Sequence, residues 1–336
     1  MKNKIILLLI SILLLALISI DKNTLTYPKY FPKPIYEIEN TKRTKFKIEL
    51  GRVLFYDPIL SKDNSISCAS CHNPYNAFAH VDHNLSHGIY DRIGKRNAPV
   101  LFNLAWHKSY MWDGAINHID VQALAPMSHP DEMGETISNV LLKLNKNQSY
   151  KQLFYQAYGD SLINSERTLK SISQFLLSLI SSNSRYDSML LGKIQFIPQE
   201  KNGYRLFKLH CNACHKEPLF SSFEFKNNGL PIDTSLNDYG RYSVSLMPND
   251  SFKFKVPTLR NIEFSYPYMH DGRFKTLAQV MNHYNSIDLS DEKITSELQG
   301  NINLSSNEKV DIIAFLRTLT DKKFLFDPKH AYPKNK

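Results

Sequence analysis

The chain contains four cysteines, and their spacing suggests a specific chemistry. Cys68, Cys71 and His72 lie in SCASCH, and Cys211, Cys214 and His215 lie in HCNACH, so every cysteine belongs to a Cys-x-x-Cys-His motif. Two thiols three residues apart can add to the two vinyl groups of a haem, and the adjoining histidine then lies under the iron as proximal ligand. Other uses of such pairs fit less well. A structural zinc site closes four ligands around one ion, whereas these pairs stand about 140 residues apart and each carries its own histidine. A thioredoxin-type redox pair occurs once, beside a βαβ unit that this sequence lacks. Two plain disulfides would close strained three-residue loops. The motifs therefore predict two covalently attached haems of the c type. Such a chain is either a pure electron carrier, with two protein ligands on each iron, or an enzyme that can open one iron to substrate.

The elements that must position these groups read as helices. Phe46, Leu50, Val53 and Leu54 recur at helical spacing up to Asp57-Pro58, and helical text resumes over Ile137–Tyr158 and Glu166–Ser182. Pro198 opens a further helix that ends near His210, and Ser305 with Glu308 forms a capping box before Val310, Ile313, Ala314 and Leu316. The polar region holding Gly88 and Gly94 and the segment from Gln122 to Gly134 read as loops, and Asp21–Asn40, with Pro28, Pro32 and Pro34, as an extended arm. Alternating segments are few, so the fold class is mainly α.

Two halves of the sequence resemble each other. PVLFNLAWHKSYMWDG begins at Pro99 and PTLRNIEFSYPYMHDG at Pro257, and they share Pro, Leu, Asn, Tyr, Met, Asp and Gly at the same internal spacing. Each series lies downstream of one Cys-x-x-Cys-His motif, which predicts an internal duplication with a boundary near Leu191–Pro198.

At 336 residues the chain is long enough for two domains, and its mean hydropathy of −0.35 describes a polar-surfaced body behind an apolar leader. Lys2 and Lys4 precede an apolar run from Ile5 to Ile20, so residues 1–22 read as a signal peptide or an uncleaved N-terminal anchor. Either way the body is exported and periplasmic, as haem attachment of this kind requires, with membrane contact only through an uncleaved leader. The formal charge of +9 contains no Lys/Arg block and points to no nucleic acid, while it suits an electron-carrier partner.

The order of CxxCH, SHG, KRNAP, MWDG, a second CxxCH, PTLRN and HDG resembles the bacterial dihaem cytochrome c peroxidase family, which includes the MauG-type enzymes. The resemblance covers nearly all of the chain after about residue 40. It implies two cytochrome c-like haem domains, a peroxidatic one over residues 23–190 and an electron-transfer one over residues 191–336, with a calcium ion between them. It implies reduction of hydrogen peroxide to water with electrons from a small cytochrome c or copper protein, and it leaves a homodimer open.

Carried over by position, Cys68, Cys71 and His72 hold the peroxidatic haem, and His87 of Ser86-His87-Gly88 is its removable sixth ligand. The loop after it is two residues longer than the family pattern, so His80 and His83 remain alternatives. Trp112 of MWDG matches the tryptophan between the haems, while Trp106 reads as core. Gln122 and Glu132 match the polar groups of the peroxide pocket. There a carboxylate can move the proton that heterolytic O–O cleavage requires, and an amide can hold the peroxide without adding charge.

Cys211, Cys214 and His215 hold the second haem. Its distal position falls on Tyr284, as in MauG-type enzymes, where the peroxidases carry methionine; Met281 stands one helical turn earlier as the alternative. Asn97 and the carbonyls of Ser265 and Pro267 match the calcium ligands. The expected activity is that of a dihaem peroxidase. The alternatives are a MauG-like enzyme that oxidises a protein or small molecule at a distance through high-valent iron, and a dihaem carrier without a substrate site.

Overall fold

Apolar residues at helical spacing find partners in pairs of helices, and two of these pairs set the frame. The computed structural model describes residues 27–333 except 81, 289, 291, 292 and 301; the leader over 1–22 lies outside the described residues. Its longer helices are α1 (Thr44–Tyr56), α2 (Ile137–Lys146), α3 (Gln148–Tyr158), α4 (Ser165–Ser178), α5 (Pro198–His210), α6 (Leu277–Tyr284) and α7 (Ser306–Arg317). The only strands among the described residues are β1 (Phe225–Lys226) and β2 (Phe254–Lys255), antiparallel with Phe225 opposite Lys255. The fold is mainly α, and no described helix is long and apolar enough to cross a membrane.

Helix α1 packs on α4, and α5 packs on α7. Both contacts depend on glycine. A Cβ at Gly51 would lie 1.9 Å from the Ser171 carbonyl oxygen, and one at Gly203 would lie 1.9 Å from the Asp311 carbonyl oxygen. Removing the side chain at one position lets each pair of backbones approach this closely. The Ser305–Glu308 capping box forms at the start of α7, as the sequence predicts. The stretch Ile137–Tyr158 differs from the single helix expected. Asn147 ends α2 and its side chain accepts the Ser149 amide to start α3, so a local cap interrupts the apolar periodicity.

Two buried apolar clusters result. The first gathers Leu50, Leu54, Phe55, Phe78, Phe102, Phe154 and Phe175, and it also takes Leu219, Phe324 and Leu325 from late in the chain. The second gathers Tyr186, Leu206, Phe207, Phe220, Ile312 and Phe315. The two repeated series share their turns: Asn103 and Asn261 have φ of 54° and 56°, Met111 and Met269 of 66° and 76°, and Gly114 and Gly272 of 70° and 67°. Short antiparallel bridges, Tyr110 with Ile116 and Tyr268 with Phe274, close both series.

Beside the second cluster lies a fully buried ion pair. Arg260 donates to both carboxylate oxygens of Asp187 at 2.9 and 2.7 Å and to the Pro218 carbonyl at 2.9 Å. Burial alone would raise the Asp187 carboxyl, but the guanidinium outweighs it and holds the group below the usual carboxylate range. A depressed carboxyl stabilises the fold above its ordinary pKa, and the benefit is lost as pH falls. Arg260→Met should therefore cost about 3–5 kcal/mol in denaturant unfolding near neutral pH, because it strands a buried carboxylate. The deficit should narrow on acidification; a pH-independent loss would contradict the assignment.

Candidate functional site

The first motif forms a one-turn helix, Cys68–Cys71, begun by reciprocal bonds between Ser67 and Ser70. None of the four thiols is in a disulfide. Burial pushes Cys68 up to about 12 and Cys71 up to about 11, and the charge of Glu132 adds to both. The Glu132 carboxyl thus lies close enough to act on the same pair. His72 holds its Nδ1 at 2.8 Å from the Phe78 carbonyl, which leaves Nε2 as the nitrogen that could ligate a metal. Burial keeps this ring neutral, with a pKa of about 4, as coordination requires.

The second motif repeats the arrangement. His215 Nδ1 lies 3.1 Å from the Pro257 carbonyl and 3.3 Å from that of Phe220, and burial again lowers its pKa to about 4. Phe78 and Phe220 both adopt left-handed backbone, at φ of 58° and 55°, which turns their carbonyls within reach of the rings. Paired free thiols and a carbonyl-held neutral imidazole at each motif are the donor set that a covalently attached haem needs, so the residues fit two such groups.

Around the first motif the sequence candidates converge. The His87 carbonyl accepts the Cys71 thiol at 3.5 Å. The His83 ring lies 4.1 Å from that of His87, and His80 lies 5.4 Å from His83 and 6.5 Å from His87, so all three histidines share one surface of the loop. Gly88 ties this loop to the Glu132 turn: a Cβ there would meet the Asp131 carbonyl oxygen at 2.2 Å, and the next amide, Ile89 N–H, donates to the Glu132 carbonyl at 2.8 Å. Burial raises the Glu132 carboxyl above its ordinary value, with Asp131 adding and His129 opposing. Gln122 does not lie in a loop. It ends a short helix, Ile119–Gln122, that His118 caps, and its buried amide reaches Met111 Sδ at 3.9 Å.

Trp112 and Asn97 make the junction between the two repeated series. The Trp112 indole N–H donates to the Asn97 carbonyl at 2.8 Å, and the Asn97 N–H donates to the His270 carbonyl at 2.7 Å. The Trp112 carbonyl accepts the Lys255 amide of β2 at 2.7 Å. Trp106 is buried and donates to the Pro32 carbonyl at 2.7 Å, a core role. Asn97 spends its Nδ2 on the Asn84 carbonyl, which leaves Oδ1 for a cation. Ser265 precedes the cis Tyr266–Pro267 bond, to which Pro267 itself belongs, on the segment that leads to His270.

At the second motif Tyr284 and Met281 share the second apolar cluster, against which Cys211 also packs. Met281 is buried within it. Burial pushes the Tyr284 phenol up to about 12, with the charges of Cys211 and Cys214 adding to it and Asn228 opposing. Asn228 also places its Nδ2 3.5 Å from Met269 Sδ, a match to Gln122 against Met111. Sequence reasoning missed Asn228, and it missed Arg96, which joins Asp113 at 2.6 Å to Asp238 at 2.7 Å across the junction. Asn228 lies at no spacing that marks it, with only the repeat of the methionines as a hint, whereas Arg96 lies within KRNAP and its two carboxylate partners lie outside that motif.

The chain is similar to several known proteins. The family model described as di-haem cytochrome c peroxidase matches residues 45–195. A methylamine utilization protein MauG of Methylophilus methylotrophus is 31% identical over 302 residues, 87% of this chain and 86% of that protein. A cytochrome c551 peroxidase of Nitrosomonas europaea is 34% identical over 286 residues, 81% of this chain and 79% of that protein. The crystal structure of a MauG-like protein associated with microbial copper homeostasis superposes with a TM-score of 0.81 at 28% identity, covering 91% of this chain and 98% of that one. The chain belongs to the dihaem cytochrome c peroxidase family, redox enzymes that act through haem and include the MauG-type proteins.

Proposed function

We propose that the chain is a MauG-type member of its family, an exported dihaem enzyme that uses hydrogen peroxide to oxidise a protein or small molecule at a distance. The observation that carries this reading is Tyr284 at the end of its helix, packed with Cys211 against one apolar cluster in whose interior Met281 is buried. When bound, the haems supply reversible one-electron transfer and an iron that reacts with peroxide. His72 and His215 would each ligate the iron of the haem that its own motif attaches, Tyr284 would be the second protein ligand at the Cys211–Cys214 site, and His87 would be the removable ligand at the first. Asn97 with the carbonyls of Ser265 and Pro267 would hold calcium beside the junction. The two series descend from a duplication that gives residues 23–190 and 191–336 one haem each, and the leader over 1–22 directs both to the periplasm.

The pocket residues divide the proton work. Glu132 takes the peroxide proton and returns it to the leaving oxygen; its burial places that exchange nearer neutral pH than an exposed carboxyl would. Gln122 orients the substrate through hydrogen bonds and adds no charge. Trp112, held at both its indole N–H and its carbonyl, fixes an aromatic ring at the junction. A second reading, a peroxidase that draws electrons from a small cytochrome c or copper protein, is favoured by Glu132 and by the similarity to a cytochrome c551 peroxidase.

Peroxide-dependent oxidation of reduced cytochrome c by the holoenzyme separates the two: little turnover supports the MauG-type reading, and sustained turnover overturns it. Tyr284→Met should move the spectrum of the second haem and raise its reduction potential, since a thioether favours ferrous iron more than a phenolate does; an unchanged spectrum would place the ligand elsewhere. Glu132→Gln should slow the peroxide reaction by about 10²–10⁴-fold at unchanged haem content. In the wild type that rate should rise with pH through a value above the ordinary carboxylate range, because the base form is the active one. Stopped-flow traces should show the dependence vanish in the variant; its persistence would assign the proton to another group.

A further inference from the structure

The two repeated series cross-link at the junction in a symmetric way, and the symmetry reaches side chains that the two sequences do not share. With Pro99 set on Pro257, Trp112 falls on His270, Asn97 on Lys255, and His107 and Ser109 on Ser265 and Pro267. The backbone follows this pairing. The Asn97 amide donates to the His270 carbonyl and the Lys255 amide to the Trp112 carbonyl, both at 2.7 Å. Tyr110 and Tyr268 send their hydroxyls to the Leu104 and Ile262 carbonyls, at 3.2 and 3.0 Å. The calcium ligands proposed above, Asn97 with the carbonyls of Ser265 and Pro267, therefore have counterparts in Lys255 and the carbonyls of His107 and Ser109. On that side the lysine already reaches a carbonyl. Its Nζ donates to Ser109 at 2.7 Å and stands 5.8 Å from the Tyr110 ring centroid, while the His107 carbonyl accepts the Tyr110 hydroxyl at 3.4 Å.

Resting on the calcium reading above, we infer that Lys255 is a built-in replacement for a second calcium: its side-chain nitrogen fills, on the first-half side of the junction, the place that the ion takes on the Asn97 side. The chemistry of the two side chains allows the exchange. Asn97 turns its Nδ2 to the Asn84 carbonyl at 2.9 Å and so presents Oδ1, an acceptor. Two acceptor oxygens cannot bond each other, and a hard cation between them satisfies both. A lysine nitrogen is a donor and satisfies the opposite carbonyl with no ion. The reach agrees as well, because the long lysine stem carries its nitrogen about as far from the backbone as an ion bound to an asparagine oxygen would lie. Burial pulls the Lys255 group down to about 7, with Asp113 opposing, and the nitrogen can donate to the carbonyl in either protonation state. Asp113 spends its Oδ2 on Arg96 at 2.6 Å and its Oδ1 on the Ala115 amide at 3.0 Å. One side of the junction is thus held by an ion that depends on the calcium supply, and the other by a tethered group that does not.

The test counts calcium on the holoprotein by elemental mass spectrometry after dialysis against about 1 mM calcium, with haem spectra taken on the same samples. The wild type should hold one calcium per chain and Lys255→Asn two. Lys255→Met, which removes the nitrogen without supplying an oxygen, should hold one. The reciprocal change runs the other way. Asn97→Lys should hold none, yet without calcium it should melt near the midpoint of the calcium-loaded wild type, whereas Asn97→Met should melt with the calcium-free wild type. This second pair decides the matter if Lys255→Asn loses its haems. A single calcium in Lys255→Asn with both haems in place, two in the wild type, or an Asn97→Lys midpoint no higher than that of Asn97→Met overturns the replacement alone. A wild type that binds no calcium overturns the calcium reading and the replacement with it.

Discussion

Each haem-attachment histidine gives its Nδ1 to a backbone carbonyl, and the rest of the site is built to keep that bond. His72 is held by Phe78 and His215 by Pro257 and Phe220. The bond fixes the tautomer and leaves one nitrogen for iron, which a freely rotating imidazole could not guarantee. It demands left-handed backbone at Phe78 and Phe220, a conformation that bulky residues adopt only when their surroundings impose it. Both side chains are buried in the two apolar clusters, so core packing holds the carbonyls in place. The close helix pairs at Gly51 and Gly203 pack the cores that do this.

The junction obeys a similar economy. Asn97 receives the Trp112 indole N–H on its carbonyl and gives its own N–H to His270, the residue that stands where the other series has Trp112. One residue therefore sets the spacing of the two equivalent positions. Arg96, next in the chain, draws Asp113 and Asp238 together across the same boundary, and burial of its guanidinium in the presence of both carboxylates fixes the geometry. Redox partners separated by a rigid bridge exchange electrons without moving the protein, which suits an enzyme that separates peroxide chemistry from its reductant.

Local patterns made the attachment sites, the class and most helices legible in the sequence. Cys-x-x-Cys-His is a covalent requirement, and the Ser305–Glu308 box is a contact within one turn, so both are written in adjacent residues. The matching series at Pro99 and Pro257 were visible because turns with positive φ constrain residue type. What escaped was set by local competition in some places and by distance in the chain in others. Asn147 breaks Ile137–Tyr158 through a cap that competes with strong periodicity, and Gln122 ends a helix because its amide is buried against Met111. Asn228 against His283, Arg96 with Asp238 across the junction and Tyr36 against Tyr110 join residues more than fifty positions apart, and no local spacing encodes such partners.

The central claim is that the second haem is ligated by the phenolate of Tyr284, a ligand that stabilises ferric iron. A potentiometric titration of the wild-type holoprotein, followed by the optical spectra of both haems, tests it most directly. The account predicts that the haem attached at Cys211 and Cys214 reduces at low potential and lacks the spectrum of histidine–methionine ligation. A high-potential wave with that spectrum would contradict it.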